Sequence, residues 1–397
     1  MATAPAPAAT QPAPAGAAPA GSGGQQQAPP AVPFRCGTQN TTNVDGYQVT
    51  VTPGAAQQPL ANYEPSVNSY LRGVWINCAA TASANAATVV FNADGPTSAL
   101  AQVAFLDTQQ RPIIQVTGYQ LAQIINKFGG YFINGDPRAD ATYLATAGSG
   151  GSGGSFNFTV WVPLEINNRT GVGAALNKNS SQTYTLALTV NTSAGIYSTP
   201  PTTVPAMTVT VLEDGWWQPQ GTDVSGAPTT GAPVAPNTWS YWLQSSYTGL
   251  NGAVQEQLTT GLGNSLRMVA FNTYDTGNNT RATGETDFPT TVQLIYKGTN
   301  LKNWGKSLWK SLMSKNYGLT SATPDTANGP ENGVYVLWQF MQDFGMRPGD
   351  GLNYSLLNTD QGDQFQFLGT FNASATMYEL VNYIATVGNP SVLRQQR

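Results

Sequence analysis

The stretch FNFTVWVPL, residues 156–164, decides the fold class of this chain. Its apolar side chains Phe156, Phe158, Val160 and Val162 occupy every second position, with Asn157, Thr159 and Trp161 between them. Alternation with a period of two places every second side chain on the same face of an extended strand. The same alternation recurs at residues 47–51, 184–190, 207–211, 266–270 and 292–296. Because Gly, Pro and Asp residues that favour turns separate these runs, the sequence predicts an all-β protein.

The strand pattern falls into two tandem halves of similar size. About eight strands fit the first half, which is the number in one jelly roll. The sequence Glu213-Asp-Gly-Trp-Trp217 then leads into a stretch rich in Gly, Pro and Thr, and a second strand set follows. We therefore predict two tandem eight-stranded jelly rolls, a double jelly roll with a few short helices in loops. The predicted divisions are a first roll at 34–215, a linker at 216–237, a second roll at 238–390 and a C-terminal tail at 391–397.

Three segments are predicted to be helical. In the first, residues 300–316, Asn300 can cap the start and one apolar face follows, formed by Leu301, Trp304, Leu308, Trp309 and Leu312. Leu121, Ile124, Ile125 and Phe128 indicate a shorter helix at 119–128. Residues Gly171 to Leu176 form the third candidate.

Residues 1–33 contain Ala, Pro, Gln and Gly but no charged residue. Proline removes backbone donors and breaks helices, so this segment is predicted to be a flexible N-terminal arm. Two interpretations stay open. The arm is either a solvated tail or a segment that becomes ordered against neighbours in an assembly.

The composition limits the partners of the chain. Charged residues make up 10% of the 397 residues and the net charge is −4, with an isoelectric point of about 4.8. Duplex-binding proteins carry basic patches, so no direct contact with nucleic acid is expected. No apolar run is long enough for a membrane-spanning helix. The N-terminus lacks the basic and apolar regions of a secretion signal, so export is not expected.

The residues that usually carry chemistry are scarce. The chain has no histidine, which excludes His–metal sites and catalytic triads that depend on imidazole. The glycine run at 148–154 lacks the lysine and the helix of a phosphate-binding loop. We therefore expect neither an enzyme nor a cofactor. Cys36 and Cys78 are interpreted as two reduced thiols, with one disulfide as the alternative.

Two pairs of carboxylates lie in polar loops: Asp136 with Asp140, and Asp360 with Asp363. Carboxylate oxygens are ligands that calcium prefers, so each pair is a candidate calcium site. Their spacing does not match an EF-hand, and the alternative is that each loop is simply solvated.

Basic and aromatic residues provide candidate contact sites. Lys302, Lys306 and Lys310 recur every four residues, so they would lie on one face of the predicted helix. That face is either solvated or in contact with an acidic neighbouring subunit or anionic lipid. Trp216 and Trp217 are candidates for packing between rolls or between subunits, and the alternative is that they are buried in a core. The same two interpretations apply to Trp239 and Trp242.

Several motifs resemble one family when they are read in order. They are DGPTSALAQVAFLD at 94–107, TGYQL at 117–121, FTVWVPL at 158–164, TGVGA at 170–174 and YELVN at 378–382. In this order they resemble the tectivirus-type double-jelly-roll major capsid proteins of membrane-containing bacteriophages. The Pro-rich arm differs from the Gln/Ala-rich arm of that family, which can be helical.

The resemblance implies a structural protein of the virion that assembles in the cytoplasm of a bacterial host. It implies homotrimeric capsomers with a pseudo-hexameric outline, in an icosahedral capsid over an internal membrane. The implied partners are the chain itself, neighbouring capsomers and vertex proteins, and a lipid membrane near the N-terminal arm. Three alternatives remain: a secreted or surface β-sandwich adhesin that binds carbohydrate, a β-sandwich enzyme that degrades glycans, and a minor vertex or spike protein of the same kind of virus.

Overall fold

The computed structural model describes twelve ranges of the chain: residues 31–43, 46–67, 70–82, 88–129, 131–132, 137–166, 171–233, 235–275, 289–305, 308–317, 334–339 and 357–385. Within them the strands are β1 (Asn40–Asn43), β2 (Gln48–Val51), β3 (Gln58–Pro59), β4 (Tyr70–Ala80), β5 (Val90–Phe91), β6 (Leu100–Leu106), β7 (Pro112–Val116), β8 (Leu144–Ala145), β9 (Phe156–Pro163), β10 (Ala175–Leu176), β11 (Thr185–Val190), β12 (Tyr197–Thr199), β13 (Met207–Trp216), β14 (Ser240–Gln257), β15 (Ser265–Asp275), β16 (Thr291–Tyr296), β17 (Thr299–Gly305), β18 (Val334–Gln339), β19 (Leu357–Asn358) and β20 (Phe365–Ile384).

Short helices connect some of these strands. They are α1 (Phe34–Gly37), α2 (Ser193–Ile196), α3 (Trp309–Tyr317), two 3₁₀ turns at Thr97–Ala99 and Pro137–Ala139, and a π-helix at Gln120–Phe128. Among the described residues, none of these helices combines the length and the apolar character that a bilayer span requires.

The first roll is built from two sheets that share one core. One sheet has the order β1-β13-β4-β9-β8, and in the other β7, β6, β11 and β3 are neighbours. The alternation in β9 places Phe156, Phe158, Val160 and Val162 in the buried core, as predicted. The π-helix packs on this strand, where Asn126 pairs with both backbone groups of Trp161 at 2.7 and 2.8 Å.

The second roll is organised by the two long strands β14 and β20, which pair antiparallel along most of their length. The C-terminal half of β20 also pairs with β15, whereas its N-terminal half pairs with β16. The register of β14 shifts between Tyr247 and Gly252. Gly249 and Gly252 have positive φ there, which glycine adopts without a steric penalty.

The two rolls are joined by strand pairing as well as by the chain. β14 pairs in parallel with β7, with Trp242 opposite Ile114, so strands of both rolls form one 11-stranded sheet. The buried core likewise continues from the first roll into the second. β13 ends at Trp216 and β14 begins at Ser240, with residues 217–239 between them.

The all-β fold class is confirmed, and two local predictions are wrong. Residues 300–316 are not one helix, because Lys297 and Gly298 both have positive φ and turn the chain into the hairpin of β16 and β17. Among the described residues from 300 onwards in that segment, the helical ones belong to Trp309–Tyr317. Gly171 to Leu176 form turns and strand β10, which pairs with β4. The helix predicted at 119–128 is present as the π-helix.

Both cysteines are free. Cys36 is exposed, whereas Cys78 lies in the core on β4, where burial raises the pKa of its thiol. The predicted arm lies outside the described residues except for 31–33, and the predicted tail at 391–397 lies outside them entirely.

Candidate assembly surfaces and the joint between the rolls

Two guanidinium groups lie over the ring system of Trp216 at the end of β13. The guanidinium carbon of Arg35 is 3.8 Å from the centre of the Trp216 ring system, and that of Arg72 is 4.2 Å from it. The indole is 4% exposed and its Nε1 donates to Glu165 Oε1 at 2.7 Å. Cation–π contacts of this kind contribute roughly 0.5–2 kcal/mol each. Trp216 is therefore a buried anchor within this chain.

Carboxylates neutralise this cluster. Arg72 Nε lies 2.7 Å from Glu165 Oε2, and its Nη1 is 3.2 Å from both carboxylate oxygens of Asp214. Burial raises the pKa of Glu165 above its usual range, although the nearby charge of Arg72 opposes that shift. Asn40 Nδ2 also donates to Asp214, at 2.6 Å, and so attaches β1 to the cluster.

The last residues of the predicted arm and those that follow it are held beside this cluster. Phe34 is 3% exposed and packs edge-on against Tyr70, with ring centres 5.3 Å apart. The backbone N–H of Val32 donates to Pro228, and its carbonyl accepts from Thr230, both at 2.8 Å. Residues 31–37 are thus held against the first roll and against the segment between the rolls.

Trp217 behaves differently from its neighbour. Its side chain is 50% exposed, and its backbone N–H donates to the carbonyl of Gln39 at 2.9 Å. Of the two other candidate tryptophans, Trp242 is buried at the joint between the rolls, where β7 pairs with β14. Trp239 is partly buried and packs against Tyr184. Among these four residues, Trp217 is the one that offers a large apolar surface to a partner.

The candidate lysines do not share one helical face. Lys302 lies half-buried in strand β17, and Lys310 lies in helix α3. Lys306 falls outside the described residues. The spacing of four residues suggested one helix, but the hairpin places Lys302 in a sheet, so the predicted basic face is wrong.

The candidate calcium ligands have other partners where they are described. Lys297 Nζ lies 3.1 Å from Asp363 Oδ1 and 3.8 Å from Asp360 Oδ2. The hydrogen bond from the backbone N–H of Asp360 lowers the pKa of Asp363, and the nearby Lys297 lowers it further. The exposed Asp140 accepts two hydrogen bonds from Thr142, and its predicted partner Asp136 lies outside the described residues. In the part of the chain that is described, no three acidic, His or Cys side chains form a metal-binding group.

Polar side chains connect the two rolls beside the β7–β14 pair. Gln120 Nε2 donates to Asn272 Oδ1 at 3.4 Å, and Asn272 Nδ2 donates to the Tyr274 hydroxyl at 2.8 Å. That hydroxyl donates to Asp94 Oδ2 at 2.5 Å. Asp94 and Gln120 belong to the first roll, whereas Asn272 and Tyr274 belong to β15. Four side chains therefore form a continuous hydrogen-bonded bridge across the joint.

Arg267 is a buried cation at the same joint. Its side chain is 3% exposed, and Nη1 donates to Ser240 Oγ at 3.0 Å. Burial lowers its pKa, and an interaction with the Tyr131 hydroxyl opposes that shift. Tyr131 follows the π-helix of the first roll, so the Arg267 guanidinium interacts with both rolls.

Glu379 is a buried acid in the second roll. It has no exposed surface, and Oε2 accepts hydrogen bonds from Tyr247 at 2.8 Å and from Thr260 at 3.4 Å. Oε1 has no hydrogen-bond partner within the described ranges. Burial raises the pKa of Glu379 to about 7, because the charged form loses hydration that these two donors only partly replace.

Sequence reasoning missed Arg267 and Glu379. Each is a single charged residue within an apolar strand, in LRMVAF at 266–271 and YELVNYI at 378–384. A charged residue at a buried position of an alternating strand is the signal that could have identified them.

No protein-family model matches the chain, and no curated protein sequence matches it. Solved structures do match. The atomic structure of Sulfolobus turreted icosahedral virus gives a TM-score of 0.61 at 11% identity, covering 90% of this chain and 96% of the other. The crystal structure of the major capsid protein of that virus gives 0.58 at 12% identity, covering 88% and 97%. The capsid of the virus PBCV-1 gives 0.58 at 13% identity, covering 88% and 95%. Over most of its length, this chain has the double-jelly-roll fold of viral major capsid proteins.

Proposed function

We propose that the chain is a structural major capsid protein whose copies assemble into an icosahedral shell. The observation that carries this proposal is the pair of rolls joined in one sheet, a fold shared with capsid proteins over almost the whole chain. In this proposal the protein acts by burying its surface against other copies of the chain, and no catalytic group is required.

The proposed capsomer is a homotrimer. Three chains with two rolls each give a six-lobed outline, which tiles a hexagonal lattice from an object with threefold symmetry. Permanent interfaces of this kind bury about 2,000–5,000 Å² and are apolar. The half-exposed Trp217 and the exposed Leu308 are the candidate contacts on this chain.

The proposed setting is a bacteriophage with an internal membrane, assembled in the cytoplasm of its host. Residues 31–37 are fastened beside Trp216, so the arm leaves the first roll at that end. We propose that this end faces the membrane and that the arm contacts it. The remaining partners are neighbouring capsomers and vertex proteins, without direct contact to nucleic acid.

The mass of the purified protein in solution tests the capsomer. Light scattering should give three times the chain mass of 41.9 kDa, about 126 kDa. A monomer across the concentration range would contradict the trimer. In purified particles this chain should also be the most abundant protein, whereas a minor vertex or spike protein would be present in few copies.

A deletion of residues 2–30 tests the arm separately. It keeps Val32, Phe34 and Arg35, so the trimer and its thermal stability should be retained while assembly on membranes is impaired. Loss of the trimer would show that the arm belongs to the capsomer itself. A Phe34→Ala variant of the full chain serves as the control that loosens the attachment without removing the arm.

A further inference from the structure

A cleft of about 510 Å³ opens where the two rolls meet. The first roll contributes Asn92, Ser98 and Asn191, and the second roll contributes Gln244 and Thr376. Its volume lies within the range of small-molecule sites, roughly 300–1,000 Å³. The hydrogen-bonded bridge across the joint also lines the cleft, which fixes both walls relative to each other.

The lining has one kind of chemistry. Of its 13 described residues, six carry a side-chain amide, five carry a hydroxyl and one, Asp94, carries a carboxylate. None of them is Lys or Arg. Amides and hydroxyls can both donate and accept hydrogen bonds. Such a lining fits a ligand whose own groups both donate and accept.

Other ligand classes fit this lining less well. An anion would need cationic donors and would be repelled by Asp94. Calcium takes six to eight oxygen ligands, usually with several carboxylates, and Asp94 is the one carboxylate among the described lining residues. An apolar ligand needs mostly apolar walls. An extended peptide needs a free strand edge and pockets for alternate side chains.

Two features of the lining favour a polar ligand. Ser98 is 9% exposed and its buried Oγ has no hydrogen-bond partner within the described residues, so a rotation about χ1 brings an unpaired hydroxyl to the ligand. A buried polar group in that state gains free energy when a ligand supplies the partner. Tyr274 and Tyr378 line the same cleft in an edge-on pair with ring centres 5.5 Å apart, which adds aromatic surface.

We propose that the cleft between the rolls binds a neutral saccharide of one or two hexose units. Vicinal sugar hydroxyls donate and accept at adjacent positions, and this matches the amide and hydroxyl lining. The ligand is either a free sugar or a unit of a polysaccharide, and both present the same chemistry. The site needs one chain only and therefore does not depend on the proposed capsomer.

Binding is tested by calorimetry on the full chain with D-glucose, D-galactose, N-acetyl-D-glucosamine and the glucose polymer dextran. At least one free sugar should bind, and dextran should compete with it if the natural source is a polymer. No binding by any of these probes at millimolar concentrations would overturn the proposal. So would tight binding of a peptide with the sequence of residues 1–30 in the same cleft.

Two variants locate the binding. Ser98→Ala removes a hydroxyl without an internal partner, so it should fold normally and weaken sugar binding about two- to tenfold. Thr376→Val keeps the shape of a second lining residue and should act similarly. Thr370→Val lies on the same strand outside the cleft and should leave affinity unchanged. Equal affinity in all three variants, with unchanged melting temperatures, would show that the sugar binds elsewhere and would refute the assignment.

Discussion

Replacing Glu379 with Gln should remove a pH dependence that the buried carboxyl imposes on stability. In the folded chain the pKa of Glu379 is about 7, against 4.5 for an ordinary glutamate. Between these values the folded state keeps the proton that the unfolded state releases. Stability therefore falls as the pH rises from about 4.5 to about 7, and it stays lower above that.

The size of the effect follows from the difference between the two pKa values. Each pKa unit corresponds to about 1.4 kcal/mol, so the pair of values gives about 3 kcal/mol. Gln resembles the protonated acid, because the Tyr247 hydroxyl can still donate to its carbonyl oxygen. The variant should match the native protein near pH 4.5 and exceed it by up to about 3 kcal/mol near pH 8.

Urea denaturation at a series of pH values and fixed protein concentration measures this difference. The concentration is fixed because subunit association also changes apparent stability. Glu64→Gln, at an exposed carboxylate, is the matched control for the loss of one glutamate charge. A constant difference between Glu379→Gln and the native protein from pH 4.5 to 8 would refute the reasoning.

Two further predictions concern the ion cluster and the joint. Arg72→Met should cost about 3 kcal/mol in urea denaturation, because it removes the cation that forms ion pairs with both Glu165 and Asp214; a cost below about 1 kcal/mol would contradict this role. Tyr274→Phe should cost about 1–2 kcal/mol, since the hydrogen bond to Asp94 is lost, and should speed amide exchange at the end of β15, as followed by mass spectrometry. Exchange at the native rate would show that this hydrogen bond does not hold the joint.

The strands were predictable because a buried face imposes its period directly on the sequence. Val209 and Val211 of β13 flank Thr210, Val292 and Leu294 of β16 flank Gln293, and all four apolar residues are buried. Local pattern and tertiary burial agree there. Strand β14 was less visible, because much of it is exposed and its apolar residues do not form one alternating face.

The segment at 300–316 shows why the helix prediction failed. Leu301 and Trp304 are three residues apart, which fits a helical face. In the fold, Trp304 instead pairs with Val292 across a hairpin, and Leu301 packs partly buried against the core. The turn at Lys297-Gly298 decided the outcome, because its two positive φ angles match the twist of the paired strands.

The contact sites were less predictable because they depend on residues far apart in sequence. Trp216 and Trp217 are adjacent, yet Arg35 and Arg72 contact the first and the second is half-exposed. Trp216 is the last residue of β13 and Trp217 lies just beyond it, so the partners that surround each side chain decide its burial. The sequence identified both tryptophans as candidate contacts, but it could not predict that Trp216 is buried and Trp217 is half-exposed.

The joint, rather than the segment between the rolls, has the properties that a rigid two-lobed subunit needs. Two domains connected by a chain segment alone are expected to move relative to each other. Here Trp242 is 2% exposed on a strand that pairs with the first roll, and Arg267 is buried beside it. In the proposed trimer, the spacing of the six lobes would then follow from this parallel strand pair. Substitutions at Trp242 should therefore disturb lattice formation, whereas changes at 218–230 that preserve the contacts of Val32 should be tolerated.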